Sequence, residues 1–148
     1  AGNDRLRDGN GNDSLDGGDG DDEITSYSGY DIVSGGAGND AIYALANFAV
    51  VDGGDGDDDI NIVGGTVSGG AGADTFHIHI QPWLAQQATI TDFEKGVDRI
   101  ILHGAPEDVG MAEMRWYVPD TGVMLNGYEL IVKNTNPHDL GMNELLTG

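Results

Sequence analysis

Residues 53–61 read GGDGDDDIN, and the same nine-residue pattern returns as GGDGDDEIT at 17–25, GGAGNDAIY at 35–43 and GGAGADTFH at 69–77. The eighth position is apolar in every unit, with a spacing of nine that shortens once, to seven, through a two-residue deletion. These residues are Leu6, Leu15, Ile24, Val33, Ile42, Val51, Ile60, Val67 and Phe76. A disordered acidic tract has no reason to keep such an apolar period, so the repeat predicts an ordered, stacked structure.

The spacing has a mechanical meaning. Six residues of glycine, Asn and Asp form a turn, because Gly and Asn tolerate positive φ angles. The next three residues form a very short strand whose central apolar side chain points inward. Two units then make one coil of 18 residues, with one strand in each of two parallel sheets. No single coil can bury its own strands, so the coils must stack.

The pattern G-G-x-G-x-D-x-U-x, where U is apolar, resembles the RTX, or hemolysin-type, calcium-binding repeat over residues 1–77. The resemblance implies an all-β fold, a calcium-binding parallel β-roll (RTX solenoid) with a C-terminal capping region of β-strands. The implied calcium ligands are turn residues, namely Asp4, Gly9, Gly11, Asp13, Gly17, Gly18, Asp19, Gly20, Asp22, Asp31, Gly35, Gly36, Ala37, Gly38, Asp40, Gly53, Gly54, Asp55, Gly56, Asp58, Gly69, Gly70, Ala71, Gly72 and Asp74.

The chemistry of the turns fits calcium independently of the resemblance. Calcium takes six to eight hard oxygen ligands, which glycine carbonyls and Asp carboxylates supply. Zinc or copper would prefer His or Cys, which the turns lack. Magnesium demands strict octahedral geometry and keeps its waters, so it is disfavoured.

Turns on one edge of the roll should recur every 18 residues. Five aspartates follow that step, with one interval of 16, and leave four gaps for ions: Asp4, Asp22, Asp40, Asp58 and Asp74. The other edge has only Asp13 and Asp31, because residues 44–49 and 62–67 lack carboxylates. We therefore expect an asymmetric roll that binds about four to six calcium ions, with one on the second edge.

Some residues near the turns are expected to do something other than bind calcium. Leu45 and Phe48 should pack against the C-terminal half, and Asp21, Asp57 and Asp59 should be solvated surface charges.

Residues 78–148 lose the repeat and are predicted to cap the open end of the roll. Alternating patterns predict strands over 75–80, 88–93, 98–102, 114–118 and 128–132, with a loop over 81–87, a turn at 120–122 and a short helix or turn from 136 to about 146.

The stretch from Thr75 to Leu102 resembles the segment after the last repeat in serralysin-type proteases and related RTX proteins. That resemblance implies that Asp98 helps to bind the terminal calcium, whereas Asp92 is expected to be structural. The tail resembles the ends of such proteins, where an uncleaved type I secretion signal lies.

Charge and composition exclude several classes of protein. The chain has 26 acidic and 6 basic residues, with 16 acids and 2 arginines in residues 1–77. It therefore lacks the basic patch that nucleic acid or anionic membranes require. There is no cysteine for a disulfide scaffold and no run of 18 apolar residues for a membrane span. The chain begins at Ala1, and we expect it to be a piece of a longer protein, monomeric by default.

Catalytic motifs are missing from the sequence: it has no H-E-x-x-H, G-x-S-x-G or P-loop pattern. His77 and His79 share one strand face but lack an evident third ligand, so they are interpreted as ordinary strand residues. We expect a non-catalytic part of a longer protein.

Three function classes remain open. The first is a module of a secreted, extracellular bacterial protein that folds on calcium and supports type I secretion and stability of an upstream domain. The calcium-free chain is then expected to be disordered. The second is a polysaccharide-binding module, as in the R-modules of mannuronan C5-epimerases, which the negative charge disfavours for a polyanion. The third, an adhesin or ice-binding segment, would require a regular Thr or Asn array that the sequence lacks.

Overall fold

The computed structural model describes residues 1–81, 87–104, 113–117, 120–125, 128–135 and 145–147, and every regular element within them is a strand. The strands are β1 (Arg5–Arg7), β2 (Ser14–Asp19), β3 (Glu23–Ser26), β4 (Ile32–Ala37), β5 (Ala41–Ala44), β6 (Ala49–Asp55), β7 (Asp59–Ile62), β8 (Gly65–Ala71), β9 (Thr75–His79), β10 (Gln87–Ile90), β11 (Arg99–His103), β12 (Glu113–Tyr117), β13 (Asp120–Leu125), β14 (Tyr128–Val132) and β15 (Leu145–Thr147).

Odd-numbered and even-numbered strands of the repeat region form separate parallel sheets. One sheet has the order β1-β3-β5-β7-β9-β11-β15 and the other β12-β13-β14-β10-β8-β6-β4-β2. Neighbouring strands pair with a step of one 18-residue coil, as in Ile24↔Ile42 and Val33↔Val51. The all-β parallel roll predicted from the period is therefore confirmed.

The core is a narrow apolar layer between the two sheets. The eighth-position residues from Leu15 to Phe76 are all buried, and only Leu6, in the first coil, is partly buried. In the even-numbered sheet the strands run longer than the three residues expected, because they continue into the glycines of the turn. Gly18, Gly36, Gly54 and Gly70 thus pair in register across four coils.

Strands after His77 continue both sheets rather than forming a separate layer. β11 pairs in parallel with β9, and β10 pairs in parallel with β8, so the coil continues although the nine-residue period has ended. The chain then adds an antiparallel β12-β13-β14 meander to one sheet and β15 to the other.

The predicted turn at residues 120–122 is wrong, because these residues begin β13 and pair with β12. The tail ends in a strand, Leu145–Thr147, where a short helix or turn was expected. The predicted loop over 81–87 and the start of the tail fall largely on residues outside those described, but Gln87 already belongs to β10.

Leu45 and Phe48 were expected to pack against the C-terminal half, but both residues are exposed. Leu45 is 40% exposed and Phe48 is 59% exposed, and Phe48 stacks on Tyr30 of the preceding coil with ring centroids 5.1 Å apart. The turn at residues 44–49, which has no carboxylate, is stabilised on its outside by this aromatic pair.

The described part of the chain contains no helix that is long and apolar enough to cross a bilayer.

Candidate metal centres

The turn aspartates of one edge form a continuous column. The backbone N–H of each aspartate donates to Oδ1 of the aspartate one coil later, at 2.6–3.1 Å; the column is Asp4, Asp22, Asp40, Asp58, Asp74 and Asp98. Asp22, Asp40, Asp58 and Asp74 are almost fully buried, while Asp4 is exposed at the end of the stack. The 18-residue step, together with the shortened interval, places the sequence-predicted aspartates in one line.

Three of these carboxylates keep a buried second oxygen without a hydrogen-bond partner. Oδ2 of Asp22, Asp40 and Asp58 is buried and unpaired. A buried, unpaired carboxylate oxygen is costly, and such groups are normally paired or coordinate a cation.

Each unpaired oxygen lies beneath the first glycine of its own repeat. A Cβ built on Gly35 would come within 3.0 Å of both Asp40 Oδ2 and the carbonyl oxygen of Gly53, closer than real Cβ atoms approach. The same space, which we call a cradle, occurs at Gly17 with Asp22 and the Gly35 carbonyl. It occurs again at Gly53 with Asp58 and the Gly69 carbonyl. Below Gly69 the three nearest atoms all belong to Asp74.

Burial of the column changes its acidity. Desolvation raises the pKa of Asp58 to about 6, and it also raises the pKa of Asp40 and Asp74. Hydrogen bonds from the preceding coil act in the opposite direction, and neighbouring carboxylates add to the rise. The column therefore resists carrying its full negative charge unless a cation is present.

The other glycines of the turn let the coils approach each other. Gly36 and Gly54 have φ angles of 113° and 111°, and a Cβ on either would collide with the glycine carbonyl one coil earlier. The third turn residues are exposed, and the carbonyls of Asp19, Ala37, Asp55 and Ala71 accept hydrogen bonds from Gly2, Gly20, Gly38 and Gly56. These turn residues, which were predicted as calcium ligands, therefore hold successive coils together by close packing and backbone hydrogen bonds.

The second edge has a different centre. Ligand atoms of Asp8, Asp13 and Asp31 lie within 4.8 Å of one another. Asp13 Oδ2 is buried and unpaired, whereas Asp31 Oδ2 accepts a hydrogen bond from Ser26 Oγ at 2.6 Å. Asp8 and Ser26 stand at the positions where a full repeat has its first glycine.

Asp8 is therefore a functional candidate that the sequence interpretation missed. Aligning residues 8–13 with residues 17–22 would have shown a carboxylate in place of Gly17. Gly9 and Gly11 lie in the same turn, between Asp8 and Asp13, and a Cβ on either would meet no atom within 4 Å.

A second line of side chains binds the turns from outside. Oδ1 of Asn3, Asp21, Asn39 and Asp57 accepts the backbone N–H of the next coil at 2.8–3.0 Å; the last donor is Ala73. Asp21 and Asp57 are exposed, as expected of solvated charges, and each also accepts one backbone hydrogen bond from the next coil. Asp59 is exposed, as expected, and accepts from Asn61 Nδ2 at 2.8 Å.

The aspartates after the last repeat close the end of the stack. Asp98 Oδ1 accepts from Asp74 N–H at 3.1 Å, and its Oδ2 accepts from Glu94 N–H at 2.7 Å. Asp92 accepts from the N–H groups of Gly69 and Gly70 at 3.0 and 2.9 Å, which is the structural position expected of it.

The donor set consists of carboxylates and backbone carbonyls in a flexible glycine turn. These are the hard oxygen ligands that Ca²⁺ prefers, and the cradles contain no imidazole or thiolate for a softer metal. The residues that would hold calcium are the cradle aspartates with the glycine carbonyls of the following coil, and Asp8, Asp13 and Asp31 at the second edge.

A family model for the RTX calcium-binding nonapeptide repeat matches the chain in four copies, over residues 1–33, 24–48 and 66–77. No curated protein sequence matches the chain. Solved structures that are similar to it include two that align with nearly its whole length. The first is the extracellular lipase LipA from Serratia marcescens, with 14% identity and a TM-score of 0.42 over 99% of this chain.

The second is the AlgE6R3 subunit of the Azotobacter vinelandii mannuronan C5-epimerase, with 21% identity, a TM-score of 0.38 and 98% of this chain covered. The chain spans 38% of the length of the lipase and 78% of the length of the epimerase subunit.

Proposed function

Because the chain carries RTX calcium-binding nonapeptide repeats, we propose that it is a calcium-responsive folding module of a secreted protein. The observation that carries the proposal is the line of buried aspartates, in which Asp22, Asp40 and Asp58 each have a second carboxylate oxygen without a hydrogen-bond partner, beneath a glycine.

Without a cation the column opposes its own folding. Asp40, Asp58 and Asp74 are buried next to one another, and their raised pKa values show that burial disfavours their charged forms. The net charge of −20 adds repulsion across the chain. The apolar layer between two sheets is too thin to overcome both this repulsion and the conformational entropy of the chain.

Bound calcium supplies the positive charge that these carboxylates lack. An ion that binds only the folded state stabilises it by mass action, so folding follows the calcium concentration. Neighbouring cradles share residues: Gly35 offers its carbonyl to the cradle of Asp22 and covers the cradle of Asp40. We therefore expect steep, cooperative binding at five centres, three complete cradles, the Gly69 cradle and the Asp8 centre, within the predicted four to six ions.

The cellular role follows from calcium concentrations. In the cytosol, where calcium is scarce, the chain stays unfolded and can pass through the type I secretion machinery. Outside the cell, at roughly millimolar calcium, it folds and supports an upstream domain of the same polypeptide. In this role the module is non-catalytic, extracellular and monomeric, with residues 1–77 as the repeat roll and 78–148 as its cap, whose strands β10 and β11 continue the two sheets of the roll.

The test is far-UV circular dichroism during a calcium titration that begins in excess EGTA. We expect a steep gain of β signal near millimolar calcium and none with magnesium at the same concentrations. A spectrum that is already fully β-structured in EGTA would contradict the folding switch.

A second candidate function, polysaccharide binding, is favoured by one observation. The stacked Tyr30–Phe48 pair is exposed and borders a groove of about 390 Å³ that Thr66 and Thr89 also line. Exposed aromatic faces can pack on sugar rings, and the charge of the chain favours a neutral glycan. The test is affinity electrophoresis in millimolar calcium, in gels that contain neutral or uronate polysaccharides. We expect a polysaccharide to slow the migration of the wild-type protein, and Phe48→Ala to abolish this retardation.

A further inference from the structure

Three of the four histidines of the chain meet on the outer face of the odd-numbered sheet. His77 and His79 lie on β9, and His103 ends the neighbouring strand β11. His77 Nδ1 lies 2.8 Å from His103 Nε2, and the ring of His103 stacks on that of His79 with centroids 4.6 Å apart. The sequence interpretation saw only the two histidines of β9 and no third partner.

Two polar residues of β7 orient these rings. Asp59 Oδ2 lies 3.4 Å from His77 Nε2, and Asn61 Oδ1 lies 3.2 Å from His79 Nε2. A proton on Nε2 of His77 faces the Asp59 carboxylate, which leaves the lone pair of Nδ1 directed at His103. A carboxylate behind a histidine ring is the usual partner of a metal-binding imidazole.

The cluster is partly shielded from solvent, since the side chain of His77 is only 19% exposed. A histidine binds a metal ion through the lone pair of a neutral ring nitrogen, and Nδ1 of His77 faces Nε2 of His103.

We propose that His77 Nδ1 and His103 Nε2 bind a divalent transition-metal ion of the zinc class, with Asp59 orienting His77, His79 supporting His103, and water completing the coordination. Two nitrogens on a tetrahedral ion with Zn–N bonds of about 2.05 Å lie about 3.3 Å apart, so the rings need to separate by only about half an ångström. His103 then carries its proton on Nδ1 instead of Nε2.

This site would be chemically and spatially separate from the calcium centres. Its ligands are nitrogens on the outer sheet face, whereas the turns offer only hard oxygens. An ion here would link β9, the strand of the last repeat, to β11, the first strand of that sheet beyond the repeats.

The test is isothermal titration of the calcium-saturated full chain with ZnCl₂, so that the carboxylate centres are already filled. We expect one zinc site whose affinity falls more than about tenfold in His77→Asn and in His103→Asn. Asp59→Asn should weaken binding about 10- to 100-fold, as loss of a partner of a ligating histidine does. His138→Asn, which removes the remaining histidine of the chain, is the matched control and should bind like the wild type.

A spectroscopic measurement keeps the proposal testable if a variant fails to fold. Cu²⁺ added in equimolar amount to the calcium-loaded wild type should give an electron paramagnetic resonance signal with hyperfine coupling to two imidazole nitrogens. Absence of zinc binding, zinc binding that survives both histidine substitutions, or a copper signal without imidazole coupling would each overturn the proposal.

Discussion

Substitution Gly35→Ala is the sharpest test of the cradles, because Gly35 takes part in two of them. The carbonyl of Gly35 lies below Gly17 in the cradle of Asp22. In the cradle of Asp40, the space above the carboxylate is open because Gly35 has no side chain. An added Cβ would come within 3.0 Å of Asp40 Oδ2 and of the Gly53 carbonyl oxygen. The effect is steric alone, since the φ angle of Gly35 is not in the left-handed region.

The magnitude follows from overpacking and lost coordination. A methyl group forced into a well-packed site costs about 1–3 kcal/mol. The backbone carbonyl of the next coil cannot move away, because Gly54, the neighbour of Gly53, is held in the sheet by its pairing with Gly36. We therefore expect the calcium-loaded protein to lose about 1–3 kcal/mol of unfolding free energy and to require more calcium to fold.

The assay is urea unfolding of the calcium-saturated protein, followed by circular dichroism, together with a calcium titration of the same variant. Gly9→Ala is the matched control: it adds the same methyl group, keeps the backbone carbonyl, and meets no atom within 4 Å. If Gly35→Ala and Gly9→Ala unfolded at the same urea concentration and folded at the same calcium concentration, the cradle geometry would be refuted.

Three further predictions concern the carboxylates. Because Asp58 has a pKa of about 6 in the fold against 3.8 for the ordinary residue, the folded state binds more protons than the unfolded state between these two pH values. The calcium-free protein should therefore gain β signal in EGTA as the pH falls from 7 to 4, and an unchanged spectrum would contradict this. Asp40→Asn keeps an oxygen that accepts the Asp22 N–H but removes the negative charge. We therefore expect this variant to fold more easily in EGTA and to respond less to calcium in circular dichroism titrations. Asp16→Asn, at an exposed position, is the control and should behave like the wild type. Ser26→Ala removes the hydrogen-bond donor to the buried Asp31 Oδ2. In urea unfolding with calcium it should lower the free energy of unfolding by about 1–3 kcal/mol, and an unchanged urea midpoint would contradict this prediction.

The nine-residue period by itself determined the roll, its two sheets and its core. Each eighth-position residue had to point inward, because a nine-residue turn-and-strand unit repeats its geometry at every step. The same arithmetic placed Asp22, Asp40, Asp58 and Asp74 in one column, since two units make one coil.

The local roles within the turn required the structure. Asp8 and Ser26 depart from the repeat pattern, so no rule of the repeat could show that one adds a carboxylate and the other satisfies Asp31. The outer line from Asn3 to Asp57 was also missed, because sequence alone does not separate a hydrogen-bonded carboxylate from a solvated one.

Beyond residue 77 alternation in the sequence predicted most of the strands, but only the tertiary structure decided how they pair. Steps of 24 residues from Thr75 to Arg99 and of 45 from Ile100 to Leu145 follow no period, yet both pairs lie side by side in the odd-numbered sheet. The contact between His77 and His103 depends on that pairing. In a repeat, the spacing of the residues shows which of them become neighbours. Outside the repeat, the neighbours of a residue are set only by strand pairing and packing in the folded chain.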